Sequence, residues 1–447
     1  MVAVTPEEWL PILSKRLDDR AARIARLRSY VNGQAPLPEM GKNTRAAWVA
    51  FQQKARTNIG GLAVESLVNR IRPQSVRVGS DEDSEATQAA RKIWRDNQMV
   101  VQIGAAVWDA EACGVGYLVT GLDDGGALVT AESPELFIAS PDPARPWRAR
   151  AALKAWRDED EEKDYALVWA NGLREQFSRP PTVNGVCWRR TFGEWVSEGA
   201  QPYTGHPPVK ILSRHDGLAL LEPHLDVIDR INLGKLQRLV ITAKQAYKQR
   251  ALKGGPLPES DENGNQIDYS KVFEADPGAL WDLPEGIDIW ESADVDIRPL
   301  LDGEKQDARD FAAVTKTPVS VLMPDGQNQS AEGALNAKEQ QIMAAQDEID
   351  RFSPAIAACM VDALRAEGVD LAGQTVEIAW QQPALTSMSE RYAAAAQAKA
   401  AGESWKSIAR NILGYTPDQI AQDERDRRQE GAQSLIAKLP AAAVPAA

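Results

Sequence analysis

The amino-acid sequence predicts an α+β protein in which a β-rich segment is inserted into a mostly helical chain. Apolar residues recur every three or four positions over 7–31 and 222–250, which is the spacing of amphipathic helices. Between these helices, 114–213 contains short β-type runs separated by glycine and proline. After 250 the pattern is lost, and helical spacing returns near 302.

Composition places limits on the class of protein. The chain has 447 residues, of which 43% are apolar and 26% charged, so we expect several structural units rather than one core. No apolar run is long enough to span a membrane, and the first residues lack the basic stretch of a signal peptide. Cys113, Cys187 and Cys359 form no CxxC pair. We therefore interpret them as buried thiols of a reducing compartment.

The N-terminal half is predicted to hold four helices and a series of strands. The helices cover 7–31, 44–71, 84–96 and 98–113, and the first has a basic outer face (Lys15, Arg16, Arg20, Arg23, Arg26 and Arg28). The strands cover 114–121, 127–133, 135–141, 149–156, 164–170 and 186–196. The charged run at 157–164 is interpreted as a hairpin tip or loop.

The C-terminal half is predicted to begin with the long helix at 222–250. Residues 251–300 contain 12 Asp or Glu against 3 Lys or Arg and an Asn-Gly turn signal. The remaining elements are a helix at 302–315, a loop, a helix at 331–352 capped by Ser330, a strand at 375–383, Ala-rich helices over 386–430 with a new start at Thr416-Pro417, and a disordered tail.

Sequence motifs of catalysis are absent. The chain has no GxxxxGK[ST], HExxH or GxSxG motif, and Gly114-Val115-Gly116 lacks the third glycine of a dinucleotide site. We interpret that segment as a helix-to-strand turn. His206, His215 and His224 are nine residues apart, which suits no common metal site. The run 261–265 does not fit a calcium loop, because its glycine is at the fourth place. We expect no enzyme activity, metal or cofactor.

Net charge is −13. This value argues against a protein that grips nucleic acid over its whole surface, because phosphate binding needs clustered cations. It is compatible with a protein that encloses DNA loosely. The basic residues of 222–250 leave two interpretations open: a solvated or subunit-contacting helix face, or occasional phosphate contact inside a channel.

Several segments together resemble the portal proteins of tailed bacteriophages, in particular siphophages of Gram-positive hosts. RLRSYVNG (26–33) is similar to the end of the family's N-terminal helix, and TNIGGLAVESLVNRI (57–71) to its Asn-then-valine helix, where Arg70 matches the usual arginine. WRDNQ through GVGYLV (94–119) resembles the entry into the wing. PVKILSR (208–214) and the pair KTPVSVL and NQSAEGA (316–334) resemble the strand before the stem and the family's threonine-proline strand with its next helix start. The likeness covers about 20–425.

The resemblance implies a portal fold with a helical stem and crown, a β-rich wing insertion and a small α/β clip. The implied parts are wing 1–225 and 332–383, stem 226–250 and 302–315, clip 251–301, tunnel loop 316–331, crown 384–430 and disordered tail 431–447. It also implies a homo-oligomeric ring, usually of twelve copies, at one capsid vertex of the virion after assembly in the host cytoplasm. Implied partners are double-stranded DNA bound without sequence preference, the terminase large subunit, a head–tail adaptor, and major capsid and scaffolding proteins, with no membrane.

Within this resemblance, we expect a mobile collar near the DNA. Its candidate residues are Val321, Leu322, Met323, Pro324 and Gln327, with hinge freedom from Gly326 and the polar run 327–330. Lys235 and Arg238 are the candidate DNA-contacting cations of the long helix. A different function class stays open, namely a capsid-associated structural or scaffolding protein without a DNA channel. A terminase or other DNA-processing enzyme would need a nucleotide loop or a metal-binding carboxylate cluster, and the sequence contains neither pattern.

Overall fold

A computed structural model describes residues 5–37, 49, 52–79, 84–181, 194–246, 250–254, 259–260, 264, 266, 287–291, 293–323, 331–384 and 388–438. The chain forms two compact units, which are 1–33 with 58–224 and 312–447, and 34–57 with 225–311. Helices and sheets are both extensive, and every strand pair among the described residues is antiparallel. The predicted α+β class is confirmed.

The first unit begins with four helices that the sequence pattern mostly predicts. They are α1 (Pro6–Val31), α2 (Ile59–Val68), α3 (Glu85–Asp96) and α4 (Met99–Cys113). Helix α1 starts with a reciprocal capping box, in which Thr5 and Glu8 satisfy each other's backbone N–H groups. Helix α4 ends at Gly114, whose left-handed φ of 87° turns the chain into the next strand. The predicted helix-to-strand turn is therefore confirmed.

The described residues of the first unit form three sheets. The strands are β1 (Pro73–Val78), β2 (Val115–Asp123), β3 (Gly126–Glu132), β4 (Phe137–Pro141), β5 (Ala149–Asp158), β6 (Lys163–Ala170), β7 (Leu173–Arg179), β8 (Val196–Pro202), β9 (Val209–Ser213) and β12 (Val376–Trp380). The sheet orders are β4-β5-β6-β7-β8, β3-β2-β9 and β1-β12. Leu10, Leu13 and Leu17 of α1 pack on one face of the five-stranded sheet. The other face packs against β2 and β9 through Tyr117 and Val209.

The longest helix closes the main core of this unit. After the short α7 (Val319–Leu322), α8 runs from Ala331 to Ala366. Its buried Phe352 and Met360 pack with Ile103 of α4 and Trp94 of α3. The helix is longer than the predicted 331–352, because apolar spacing continues to the buried Leu364.

Three helices follow at the C-terminal end. They are α9 (Met388–Ala400), α10 (Trp405–Ile408), which continues as a π-turn over Ala409–Leu413, and α11 (Pro417–Lys438). The start of α11 confirms the predicted break, since Thr416 and Gln419 exchange side-chain-to-backbone hydrogen bonds at 2.9 and 3.2 Å. Residues 431–438 continue this helix rather than beginning a disordered tail. The remainder, 439–447, lies outside the described residues.

The second unit contains α5 (Leu225–Ala246), the antiparallel pair β10 (Arg250–Gly254) and β11 (Ile287–Glu291), and most of α6 (Arg298–Val314). Its buried apolar side chains include Ile228, Ile231, Leu236 and Phe311. Residues 34–57 also cluster here rather than with the N-terminal helices. One cause is that the buried Asn232 accepts a 3.1 Å hydrogen bond from the backbone N–H of Thr57.

Two sequence predictions for the region before β2 were wrong. The helix predicted over 44–71 is interrupted, because residues 54–58 form a turn and an extended segment before α2. Asn58 causes the new start by accepting a 3.0 Å hydrogen bond from the Gly61 N–H. Strand β1 was not predicted, and it pairs with β12, which lies far away in the sequence.

Two further differences concern strands and loops. The last strand of the five-stranded sheet covers Val196–Pro202, and most of the run predicted at 186–196 lies outside the described residues. The hairpin tip predicted over 157–164 is shorter, since β5 and β6 extend to Asp158 and from Lys163. Asp164 is fully buried and pairs with Arg157 at 2.7 Å.

Candidate functional site

Helix α5 carries Arg238, one of the two cations that the sequence analysis selected. Its guanidinium Nε donates to Glu304 Oε1 of α6 at 2.8 Å. Arg230, two turns earlier on α5, pairs in the same way with Asp307 at 2.8 Å and Asp310 at 3.5 Å. Both arginines are thus partly neutralised by carboxylates of the same unit.

Lys235 is the second selected cation, and its surroundings differ. Its side chain is half-buried and forms no ion pair within the part of the chain that the structure describes. Burial lowers the pKa of the Lys235 ammonium. The negative charge of Glu304 raises this pKa, and the positive charge of Arg238 lowers it further, so that the net shift is downward. Among Arg230, Lys235 and Arg238, Lys235 is therefore the cation whose charge is least compensated, and its DNA contact stays a prediction.

Arg230 and Arg238 both pair with carboxylates inside their own unit. Arg230 and Arg238 point to acidic positions on α6 that are three residues apart in the sequence, 304, 307 and 310. This spacing places the carboxylates along one face of α6. Ion pairs from these two arginines therefore join α5 to α6, and phosphate contact by the other basic residues of 222–250 stays a prediction.

The segment that carries Val321, Leu322 and Met323 lies in the first unit. It opens with a tight turn in which the buried Thr315 and Thr317 hydroxyls are 2.9 Å apart and Lys316 adopts a left-handed φ of 54°. Thr317 N–H donates to Ala312 O at 2.9 Å, which closes the C-terminal turn of α6.

A loop was predicted throughout 316–331, and this was wrong at 319–322. These four residues form α7, and Met323 N–H donates to Val319 O at 2.8 Å, because Pro318 can start a helical turn without needing an N–H partner. Val321, Leu322 and Met323 are half-buried. Pro324, Gln327, Gly326 and the predicted cap Ser330 lie outside the described residues.

Three arginines of the predicted basic face of α1, Arg20, Arg23 and Arg28, contact other parts of the first unit. Arg20 reaches the sheets and donates to Tyr117 Oη at 2.8 Å, Pro134 O at 2.7 Å and Phe137 O at 2.6 Å. Arg23 pairs with Glu222, and Arg28 with Asp109, both at 2.5 Å. The side chains fasten α1 to the β-rich region instead of facing solvent alone.

Arg70, which matches the resemblance, connects distant parts of the first unit. Its Nε donates to Gln341 Oε1 at 2.6 Å, and its Nη1 donates to Pro383 O at 2.8 Å. Gln341 in turn donates to Ser66 Oγ at 2.7 Å. Burial lowers the pKa of Arg70. This network ties α2 to α8 and to the segment after β12, so the role of Arg70 is positional.

A second buried network joins α4, the end of β9 and α8. Glu111 is fully buried, with its Oε2 2.8 Å from Arg214 Nε, and Glu348 Oε1 lies 3.3 Å from the same nitrogen. Arg351 Nε is 3.5 Å from Glu348 Oε2. Burial raises the pKa of Glu111 to about 8, against the lowering effect of Arg214. The pKa of Glu348 is raised for the same reason.

Among the described residues, no group of three or more His, Cys, Asp or Glu side chains is placed to hold a metal ion. His215 lies in an exposed turn beside Asp216, with 2.8 Å between Nδ1 and Oδ2. No helix in the described ranges is both long and apolar enough to cross a membrane.

Comparison with known proteins gave structural likenesses only. No family model and no curated protein matches the chain. A chain in the virion of a native gene transfer agent particle is 14% identical, covers 88% of this chain and 99% of its own length, and has a TM-score of 0.47. Chains from the neck of the native particle computed with C12 symmetry and of the empty particle computed with C6 symmetry have the same identity and coverage and TM-scores of 0.45. Similarity at this level assigns no family.

Proposed function

We propose that this chain is the portal protein of a phage-like particle, forming a homo-oligomeric ring through which double-stranded DNA passes during packaging and ejection. The observation that carries the proposal is the path of the chain. It leaves the first unit after 224, forms helix α5, the β10–β11 pair and helix α6, and returns at 312. The excursion lies between the segments 208–214 and 316–334 that resemble portal proteins, where the resemblance implies the stem and clip.

The charge distribution of the chain supports a channel that binds DNA only weakly. A passing duplex would stall if each subunit held phosphates tightly, since each phosphate contact adds to affinity. In α5, Arg230 and Arg238 are compensated by α6, and the chain as a whole has a net charge of −13. A ring of such helices would present few free cations to the duplex.

In this proposal the chain does no chemistry itself and uses no cofactor. It sits at one capsid vertex of the virion, where the terminase large subunit would dock during filling and a head–tail adaptor afterwards. Energy for DNA movement would come from the motor. Major capsid and scaffolding proteins would contact the outer part of the ring.

Ring formation is the first test. We expect the purified full-length chain to sediment as a closed assembly, of about 590 kDa for twelve copies of the 48.9-kDa chain. Negative-stain images should show a central channel. A scaffolding protein without a channel, the alternative function, would give monomers, dimers or filaments in the same experiment, and that result would refute the portal proposal.

The salt dependence of DNA affinity tests whether Lys235 contacts DNA. We expect Lys235→Gln to reduce the slope of log affinity against log salt for a short duplex bound to the assembled ring, because each lost phosphate contact removes about 0.9 from the slope. The matched control is Lys92→Gln, which makes the same charge change at an exposed lysine of α3 in the first unit and should leave the slope unaltered. Equal slopes for the unmodified chain and Lys235→Gln would exclude Lys235 as a DNA contact.

A further inference from the structure

Two exposed arginines converge at one end of the five-stranded sheet. Arg16 of α1 donates from Nη1 to Ser140 Oγ at 3.2 Å, and Arg150 of β5 donates from Nε to the same oxygen at 3.0 Å. Ser140 is 1% exposed. A buried hydroxyl therefore holds two guanidinium groups side by side at the surface.

The same two arginines also share an aromatic ring. The Trp9 ring centroid is 5.3 Å from Arg150 Cζ and 6.0 Å from Arg16 Cζ. Neither guanidinium forms an ion pair with a carboxylate of the described residues. The exposed Lys15 and Asp19 of α1 line a shallow surface depression together with Arg16. Two neighbouring cations repel each other unless an anion lies between them, so the pair is arranged to receive carboxylates or phosphates.

The opposite end of the sheet is strongly acidic. The tip between β5 and β6 contains five consecutive acidic residues, 158–162, followed by Lys163. Asp158 Oδ1 accepts hydrogen bonds from the backbone N–H groups of Asp160 and Glu161, each at 3.0 Å. This closed turn fixes the backbone of the tip, and the side chains of residues 159–162 are exposed.

Strand β5 connects the two charged groups, because Arg150 lies near its start and Asp158 at its end. Arg150 and Asp158 are eight residues apart on β5, which corresponds to about 26 Å. A strand paired on both sides cannot bend to bring its own ends together. Within one copy the basic pair and the acidic tip therefore stay apart, and only a second copy can bring them into contact.

We propose that the acidic tip 158–162 of one copy docks on the Arg16–Arg150 pair of the next copy, and that this repeated head-to-tail contact joins the ring. The inference rests on the proposed portal function. The two surfaces are different patches of one molecule, so the contact is heterologous and closes into a ring or continues as a filament. Arginine forks match carboxylates in geometry as well as in charge. The proposal selects a second copy over DNA because the complementary anion is carried by the same sheet.

Charge reversal tests the contact. We expect Arg16→Glu with Arg150→Glu, and separately Glu159→Lys with Asp160→Lys, to raise the dissociation constant for assembly at least about tenfold in sedimentation velocity. The matched controls are Arg26→Glu, another exposed cation of α1, and Asp124→Lys at the tip of the β2–β3 hairpin. Both controls should assemble like the unmodified chain.

Mixing the two reversed proteins should restore assembly, since each then offers the other a complementary surface. A measurement on the unmodified chain is independent of how the variants fold. Its assembly should weaken as salt is raised from about 50 to about 500 mM, because screening shortens the range of the attraction.

The outcomes separate the two proposals. Normal rings from both reversed variants, or assembly of the unmodified chain that is insensitive to salt, would overturn the tip contact and leave the portal function standing. Absence of any assembly by the unmodified chain would overturn both. Rings that persist in Arg16→Glu with Arg150→Glu but lose affinity for duplex DNA would assign the arginine pair to phosphate and refute the contact between copies.

Discussion

Replacing Gly116 with alanine is expected to destabilise the first unit by about 3 kcal/mol or more. Gly116 lies in β2 directly against α4, and a Cβ atom there would be 1.9 Å from Ala106 O and 2.8 Å from the Ala106 carbonyl carbon. Both are backbone atoms of a buried helix, so no side-chain rotation relieves the contact. Strand β2 would have to move away from α4, which opens the core that Ile103 and Leu118 share.

Denaturant unfolding measures this effect as a lower midpoint. Gly121→Ala is the matched control, because Gly121 lies in the same strand and has open space around its Cβ position. We expect that control to unfold within about 0.5 kcal/mol of the unmodified chain. An equal midpoint for Gly116→Ala and Gly121→Ala would show that β2 and α4 are not packed this closely.

Sequence patterns predicted the helices whose buried residues recur at regular spacing and the strands that pair with a strand close by in the sequence. Leu10, Leu13 and Leu17 predicted α1 because one buried face of a helix recurs every three or four residues. Strands β2 to β6 were predicted from short apolar runs between turn residues, and each of them pairs with a strand next to it in the sequence. Strand β1 has no such neighbour. Its partner β12 follows almost three hundred residues later, and no local pattern encodes that pairing.

The candidate site was harder to predict, because charge patterns do not show which partner a long side chain reaches. Arg20 and Arg16 belong to the same basic face of α1 in the sequence. In the structure, Arg20 donates hydrogen bonds to backbone carbonyls and to Tyr117. Arg16 instead remains exposed beside Arg150. Arg238 was selected as a DNA contact, yet its pair with Glu304 depends on the register between two helices separated by the acidic excursion.

Glu111→Gln is expected to change how stability depends on pH. The folded chain holds a proton on Glu111 up to a pH of about 8, because burial raises the pKa from its ordinary value of 4.5. Between these two values the folded state binds more protons than the unfolded state. The free energy of unfolding that this group contributes is therefore highest at or below pH 4.5 and falls as the pH rises to about 8. Glu348 acts in the same direction, since its pKa is also raised.

The amide of glutamine stays neutral at every pH, so the variant should be more stable than the unmodified chain by about 1–3 kcal/mol at pH 8.5 and should show a smaller decline between pH 6 and 8.5. Arg214 keeps Glu348 as its counter-charge in the variant, at 3.3 Å. Glu65→Gln, an exposed change on α2, should leave the profile unaltered. Urea unfolding at the two pH values provides the measurement. The opposite result, a variant less stable than the unmodified chain at pH 8.5, would contradict this prediction. It would mean that the attraction between Glu111 and Arg214 exceeds the free-energy cost of burying the Glu111 charge. The network would then stabilise the junction of α4, β9 and α8 as a charged cluster.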